Sequence, residues 1–154
     1  MTPTDIEPSP NSAVRLAALA SHRQVREVLA RGLAAVSSAR SKPDGADHLL
    51  GSATRIAAVV RNQVKLEDER LGPILAQLDA WGPQRRARLS ELHEREQVAA
   101  GSALAMEADA ETLATNLKRA ILEILRVLRI EEKELLDADL LDDTTAVVKG
   151  QSGG

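Results

Sequence analysis

Cysteine is absent from the 154 residues, so the chain can form no disulfide and offers a metal ion no thiolate. Phenylalanine and tyrosine are absent too, and Trp81 is the single tryptophan. The core must therefore be aliphatic, and almost no aromatic surface exists on which single-stranded bases could stack. The net charge of −3, with acidic and basic residues interspersed, also argues against a clamp on phosphates. We expect no nucleic-acid partner.

Long apolar runs and catalytic signatures are missing as well. No segment approaches the run of about 18 apolar residues that marks a membrane span, so we expect no membrane partner. The start of the chain, MTPTDIEPSPNS, lacks the features of a secretory signal, and the cytoplasm is the expected location. No phosphate loop, serine–histidine–acid set or cofactor fingerprint is visible, and we do not expect an enzyme.

Helix-forming residues dominate what is present. Ala, Leu, Arg and Glu are abundant, and apolar residues recur at helical spacing in four segments. The first helix is predicted from residue 11 or 12 to 38, and the second follows the SKPDGAD turn and ends near Ala80. Pro83 is well placed in the first turn of the third helix, whose apolar face we extend to Leu104.

Capping residues and composition define the remaining boundaries. Asp44 or Asp47 can cap the second helix, and Asp109 can cap the fourth. We predict a disordered lead over 1–11, a helical domain over 12–143 and a flexible tail over 144–154. Four amphipathic helices with short connections predict an all-α chain, folded as an antiparallel up-down four-helix bundle.

Polar residues interrupt the apolar stripe of every helix. A buried carboxylate is costly unless it is paired or bound to a metal, so such interruptions indicate a shared purpose. Counted at about 1.5 Å per residue, the interruptions fall near one level of the bundle. The residues concerned are His22 in the first helix, Gln63 and Glu67 in the second, His93 in the third and Glu131 in the fourth.

Four sequence segments carry a resemblance to a known family. The first helix contains HRQVREVLARGL, the second QVKLEDERLGPIL, the third RLSELHEREQ and the fourth VLRIEEKELLDADLL. In this order and spacing, over residues 16–141, they resemble the hemerythrin-like (HHE) domains. That resemblance implies a hemerythrin-like bundle with a di-iron or related centre, which binds or senses dioxygen, iron or redox state.

The resemblance also implies a ligand set. His22, Glu67, His93 and Glu131 stand where the family has metal ligands. Gln63 and Val127 stand where it has histidines, and Gln97 gives no second imidazole on the third helix. The implied site is therefore eroded, with Gln63 as a weak ligand. Its candidate ions are iron, in a mononuclear or degenerate di-iron site, zinc or manganese.

Two other interpretations remain open. Without a metal, the same four residues would form buried His–Glu pairs, and the bundle would serve as a scaffold or bind a protein partner. A histidine phosphotransfer bundle would instead need a solvent-exposed histidine, whereas His22 and His93 fall on apolar stripes. The expected function is that of a binding or regulatory module.

Overall fold

The computed structural model of the chain describes residues 9–39, 41–104 and 109–141. Over these ranges the structure contains helices and no strand, which confirms the predicted all-α class. The predicted tail over 144–154 and residues 1–8 of the predicted lead lie outside the described residues. The elements are α1 (Pro10–Ala39), α2 (Gly45–Gln77), α3 (Gly82–Ser102), α4 (Ala110–Glu134) and the short α5 (Ala138–Leu141).

Two of the predicted helix starts are confirmed in detail. The backbone N–H of Thr112 donates a hydrogen bond of 2.8 Å to the Asp109 carboxylate, so Asp109 caps α4. Pro83 lies in the first turn of α3, where its missing N–H costs no helical hydrogen bond. Of the two residues predicted to cap α2, Asp44 occupies the N-cap position without a side-chain capping hydrogen bond, and Asp47 lies in the first turn.

Two predicted helix ends extend too far. Helix α2 ends at Gln77, since the N–H of Leu78 bonds the carbonyl of Leu75 in a tighter turn. Helix α3 ends at Ser102, where the N–H of Leu104 bonds the carbonyl of Gly101 in a similar turn. Leu104 therefore lies beyond the apolar face assigned to it, and 41% of its surface is exposed.

The four long helices pack against one another in a closed ring. Each helix contacts the next one in sequence, and α1 also contacts α4. None of the described helices combines the length and apolar character that crossing a lipid bilayer requires. Each long helix is amphipathic and buries one face, so the four apolar faces meet on a common axis.

The core consists of two apolar clusters with a polar layer between them. The larger cluster includes Val25, Leu29, Ile56, Leu117 and Ile124. The smaller cluster includes Leu71, Leu75, Leu89, Leu92 and Leu135.

The order of the two clusters alternates between helices. Along α1 and α3 the chain passes from the smaller cluster to the larger one, and along α2 and α4 it passes the other way. Each helix has a buried polar residue that belongs to the layer between the clusters. These residues are His22 on α1, Glu67 on α2, His93 on α3 and Glu131 on α4.

One glycine in the larger cluster lies tightly packed against side chains of two neighbouring helices. A Cβ atom added at Gly32 would lie 3.0 Å from the Cδ1 atoms of both Ile56 and Ile121. The packing of α1 against α2 and α4 therefore depends on a missing side chain at this position.

We predict that Gly32→Leu lowers the free energy of unfolding by about 1–3 kcal/mol, because the larger side chain overpacks the core. Gly51→Ala is the control, since an added Cβ there meets only the Arg55 guanidinium, at 3.7 Å. That change should raise stability by up to about 1 kcal/mol through helix propensity. Urea unfolding followed by circular dichroism measures both, and a neutral Gly32→Leu variant would contradict this packing.

Candidate metal centre

The structure brings together the four polar residues that interrupt the apolar stripes. His22, Glu67 and Glu131 are fully buried, and His93 is 3% exposed. The Nε2 atom of His22 lies 2.6 Å from one oxygen of Glu67 and 2.6 Å from one oxygen of Glu131. The Nε2 atom of His93 lies 2.7 Å from the other Glu67 oxygen and 3.2 Å from the other Glu131 oxygen.

Each of the two carboxylates therefore divides its oxygens between the two imidazoles. Glu67 accepts a well-aligned hydrogen bond from each ring, at Oε1 from His22 and at Oε2 from His93. The contacts of Glu131 are as short or nearly so, but neither of its oxygens has a hydrogen bond of acceptable direction. Each Nε2 carries at most one proton and faces two carboxylate oxygens, so it can donate one well-directed hydrogen bond.

Outer carboxylates hold the far side of each imidazole. The Nδ1 atom of His22 lies 2.8 Å from Glu132, which also accepts two hydrogen bonds from Arg26. The Nδ1 atom of His93 lies 2.7 Å from Asp68. A carboxylate at Nδ1 keeps the proton there and turns Nε2 toward the centre, as the partners of metal-bound histidines do.

The electrostatics of the cluster follow from these contacts. Burial lowers the pKa of His22, but Glu131, Glu132 and Glu67 outweigh it and raise that pKa to about 12. Burial likewise lowers the pKa of His93, while Glu131 and Glu67 raise it to about 10. Burial raises the pKa of Glu67, and the bonds from the two imidazoles bring it down to about 2. Without a metal, the cluster is therefore an ionic network of protonated imidazoles and carboxylates.

The pKa of Glu131 is shifted in the opposite direction from that of Glu67. Burial raises the pKa of Glu131, and the negative charge of Glu67 adds to the effect, although the imidazoles oppose both. Both carboxylates contact the two imidazoles, so the opposite shifts mean that burial outweighs ion pairing at Glu131 but not at Glu67.

The two helix positions four residues before the carboxylates are also buried. Gln63 donates a hydrogen bond of 3.0 Å from Nε2 to Glu67, and its own carbonyl oxygen is buried without a partner. Gln63 also lines a groove of about 350 Å³ between α1 and α2. Val127 is fully buried and contributes no donor atom.

The third helix directs a carboxylate inward at a position where none was predicted. Gln97, at the position considered for a second imidazole, lies on the exposed face of α3. Glu96 points inward instead, and it is fully buried with both carboxylate oxygens unpartnered. Burial, reinforced by the charges of Glu131 and Glu67, raises the pKa of Glu96 to about 8.

Sequence reasoning missed three carboxylates of this site. Glu96 falls three residues after His93 and so shares its face, but the family comparison directed the search to the fourth residue. Asp68 and Glu132 each directly follow an inward glutamate, and two adjacent acidic residues were the available signal.

The donor set fits a metal ion. One ligand atom each from His22, Glu67 and Glu131 lie within 4.8 Å of one another. Ions such as zinc bind nitrogen and oxygen at about 2.0–2.2 Å, so the ligands of one ion lie roughly 3–3.5 Å apart. The contacts of 2.6 Å are hydrogen-bond distances, and an ion would need them to widen by less than about 1 Å. The cluster can therefore hold a metal.

We predict that, without a metal, removing one charged member of the cluster destabilises the fold more than replacing all four members with apolar residues. Glu67→Leu should lower the free energy of unfolding by about 3–5 kcal/mol, because two protonated imidazoles lose a shared counter-charge. The control Glu69→Leu removes an exposed carboxylate from the same helix and should change stability little. Replacing all four cluster residues with apolar ones should recover most of the loss.

The measurement is urea unfolding of protein dialysed against a chelator. Equal effects of Glu67→Leu and Glu69→Leu would contradict the ionic network.

Comparison with known proteins gives no match: no family model matches the sequence, and neither does a curated protein or a solved structure. The function of the chain has to follow from its own side chains.

Proposed function

We propose that this chain is a metal-binding four-helix bundle of the hemerythrin-like type, acting as a binding or regulatory module. His22, Glu67, His93 and Glu131 would hold the ion at the polar layer of the core. The observation that carries this proposal is the sharing of both buried carboxylates between two inward-facing imidazole nitrogens. Each carboxylate contacts both imidazoles, and in carboxylate-rich metal-binding bundles inward glutamates from facing helices hold the metal ions in the same way.

The helix arrangement supports the hemerythrin-like topology. The order of the two apolar clusters reverses from each helix to the next, as it must in an antiparallel up-and-down bundle. The connections over 40–44, 78–81 and 103–109 are also short, which favours antiparallel neighbours.

The donor set favours iron, with manganese and zinc as alternatives. Imidazole nitrogen and carboxylate oxygen together suit these ions, and no thiolate is available to select a softer one. Bound iron would supply reversible redox chemistry or dioxygen binding, the basis of a sensor. The protein's own part is to keep each Nδ1 occupied by Glu132 or Asp68, so that both Nε2 atoms face the ion.

A metal-free scaffold that binds a protein partner is the second candidate function. The observation in its favour is that all four ring nitrogens of His22 and His93 already lie next to carboxylates. Protons on the ring nitrogens would complete these hydrogen bonds without a metal ion. Against it stand the two oxygens of Glu96, which are buried without a hydrogen bond or an ion pair among the described residues.

The phosphotransfer alternative loses its basis. Phosphoryl transfer to a histidine needs a ring nitrogen that faces solvent, and His22 and His93 are buried with both ring nitrogens occupied.

We predict that the purified chain binds iron, manganese or zinc in stoichiometric amounts and that the ion stabilises it. At an ion concentration about 100-fold above the dissociation constant, the gain is about 2.7 kcal/mol, which raises the melting temperature by several degrees. The double variant His22→Leu, Glu67→Leu should lose both the metal and the stabilisation. The control His48→Leu removes the one exposed histidine and should keep both.

Elemental analysis after desalting, with thermal unfolding in chelator and in added ion, measures these effects. A parent protein without metal after anaerobic loading would put the scaffold function first.

A further prediction tests the register of the ligands. Gln63 and Val127 each lie four residues before an inward glutamate, so histidines placed there should face the same layer. Without metal, Val127→His should destabilise the fold, because a polar ring replaces a buried apolar side chain. With iron, the penalty in the double variant Gln63→His, Val127→His should shrink or reverse.

Iron content, the visible spectrum in air and the melting temperature with and without iron give the answer. Val98→His places the same substitution on an exposed position and should show no dependence on iron. If the double variant binds no more iron than the parent, the ligand register is wrong.

A further inference from the structure

Glu96 is the buried acidic group that the four-residue site leaves unexplained. It lies on α3, three residues after His93 and therefore on the same face of the helix. None of its surface is exposed, and both carboxylate oxygens lack a hydrogen-bond donor among the described residues. Buried carboxylates without partners are rare in folded proteins, because the loss of hydration is not compensated.

Among the described residues, Glu96 has no direct ion-pair partner of positive charge. Within the described part of the chain, no Arg or Lys pairs with Glu96, although all the other buried carboxylates face an imidazole. The groups that act on it are Glu131 and Glu67, which repel its negative charge, and the two imidazoles, which attract it.

The charge of the layer changes when the imidazoles act as ligands. Because Glu132 and Asp68 keep the Nδ1 protons in place, a ligating imidazole is neutral. Glu67, Glu131 and Glu96 then form a layer of three carboxylates with no protein charge opposing them in the core. A bound cation is the species that would balance all three.

We infer that Glu96 is a fifth ligand of the metal centre, a position that takes the place of the imidazoles missing at Val127 and on the exposed Gln97. This inference rests on the proposed metal-binding function. With Glu96 the donor set becomes two imidazole nitrogens and three carboxylates. That set favours harder divalent ions, manganese(II) and iron(II), over softer ones.

The test compares Glu96→Gln with Glu94→Gln. Both changes replace a carboxylate with an amide on α3, but Glu94 is exposed and serves as the matched control. Manganese(II) is the probe, because the electron paramagnetic resonance signal of the free ion reports binding directly. We expect Glu96→Gln to weaken manganese binding by more than about tenfold. Replacing a residue that only hydrogen-bonds a metal ligand already lowers metal affinity by about that factor. Glu94→Gln should bind as the parent does.

Stability measurements separate a ligand from a structural residue. In chelator, Glu96→Gln and Glu96→Leu should melt at or above the temperature of the parent, because each removes a buried group without partners. With manganese, both should show a smaller rise in melting temperature than the parent. This reversal of order between chelator and manganese is not expected of a residue that only fills space.

Each outcome has one meaning. A parent that binds manganese with unchanged affinity after Glu96→Gln overturns the role of Glu96 and leaves the proposed function intact. A parent that binds neither manganese, iron nor zinc overturns both. Variants that are less stable than the parent in chelator, and equally so with manganese, assign Glu96 a structural role and overturn the inference.

Discussion

The carboxylate of Glu67 is the interaction on which the arrangement of the core depends. It lies between two imidazoles and accepts a hydrogen bond from each, at 2.6 Å from His22 and 2.7 Å from His93. These contacts join α1, α2 and α3 at one level, and Glu131 brings α4 to the same level. Apolar side chains can slide past one another, whereas charges buried at this depth are stable only opposite their partners. The polar layer therefore fixes the register of the four helices.

The same layer explains why the core is divided. Larger and smaller apolar clusters lie on either side of it, and each is built from aliphatic residues because the chain has almost no aromatic ones. A core of this kind supplies stability but little specificity of register, since many aliphatic arrangements have similar energies. An ionic layer costs desolvation energy and penalises every misaligned packing. It defines one fold among several that the apolar pattern allows.

Sequence periodicity was sufficient to find the helices and the inward residues, but it left the chemistry incomplete. His22, Glu67, His93 and Glu131 could be found because a polar residue in an apolar stripe contradicts the pattern of its own helix. Helix ends were less certain, because short turns such as the one at Leu104 are decided by local hydrogen bonds rather than by periodicity.

The missed carboxylates show a different limit. Asp68 and Glu132 lie at the edge of the buried face, where a polar residue is unremarkable in sequence. Their importance depends on which neighbouring helix they reach, and a single sequence does not contain that distance. Glu96 lies in a stretch of acidic and basic residues, where its spacing of three residues from His93 was the one signal that it points inward.

The layer has an approximate twofold pattern, and its exceptions have chemical consequences. Helices α1 and α3 each contribute an imidazole, while α2 and α4 each contribute two adjacent acidic residues. The first acidic residue enters the layer, and the second reaches Nδ1 of the imidazole on the next helix around the ring. The pattern fails at two pairs of equivalent positions. Four residues before the inward glutamate, α2 has Gln63 and α4 has Val127. Three residues after the imidazole, α3 has Glu96 and α1 has Val25.

Both exceptions place oxygens that could bind a cation on the same side of the layer, because Gln63 lies on α2 and Glu96 on the neighbouring α3. The half of the layer near Val25 and Val127 is apolar by comparison. A cation at the centre would therefore experience unequal surroundings, with more oxygen donors toward α2 and α3. Gln63 also lies beside the groove between α1 and α2. A symmetric layer of imidazoles and carboxylates would be enough to align four helices, and the additional buried oxygens are the part of this core that alignment alone does not require.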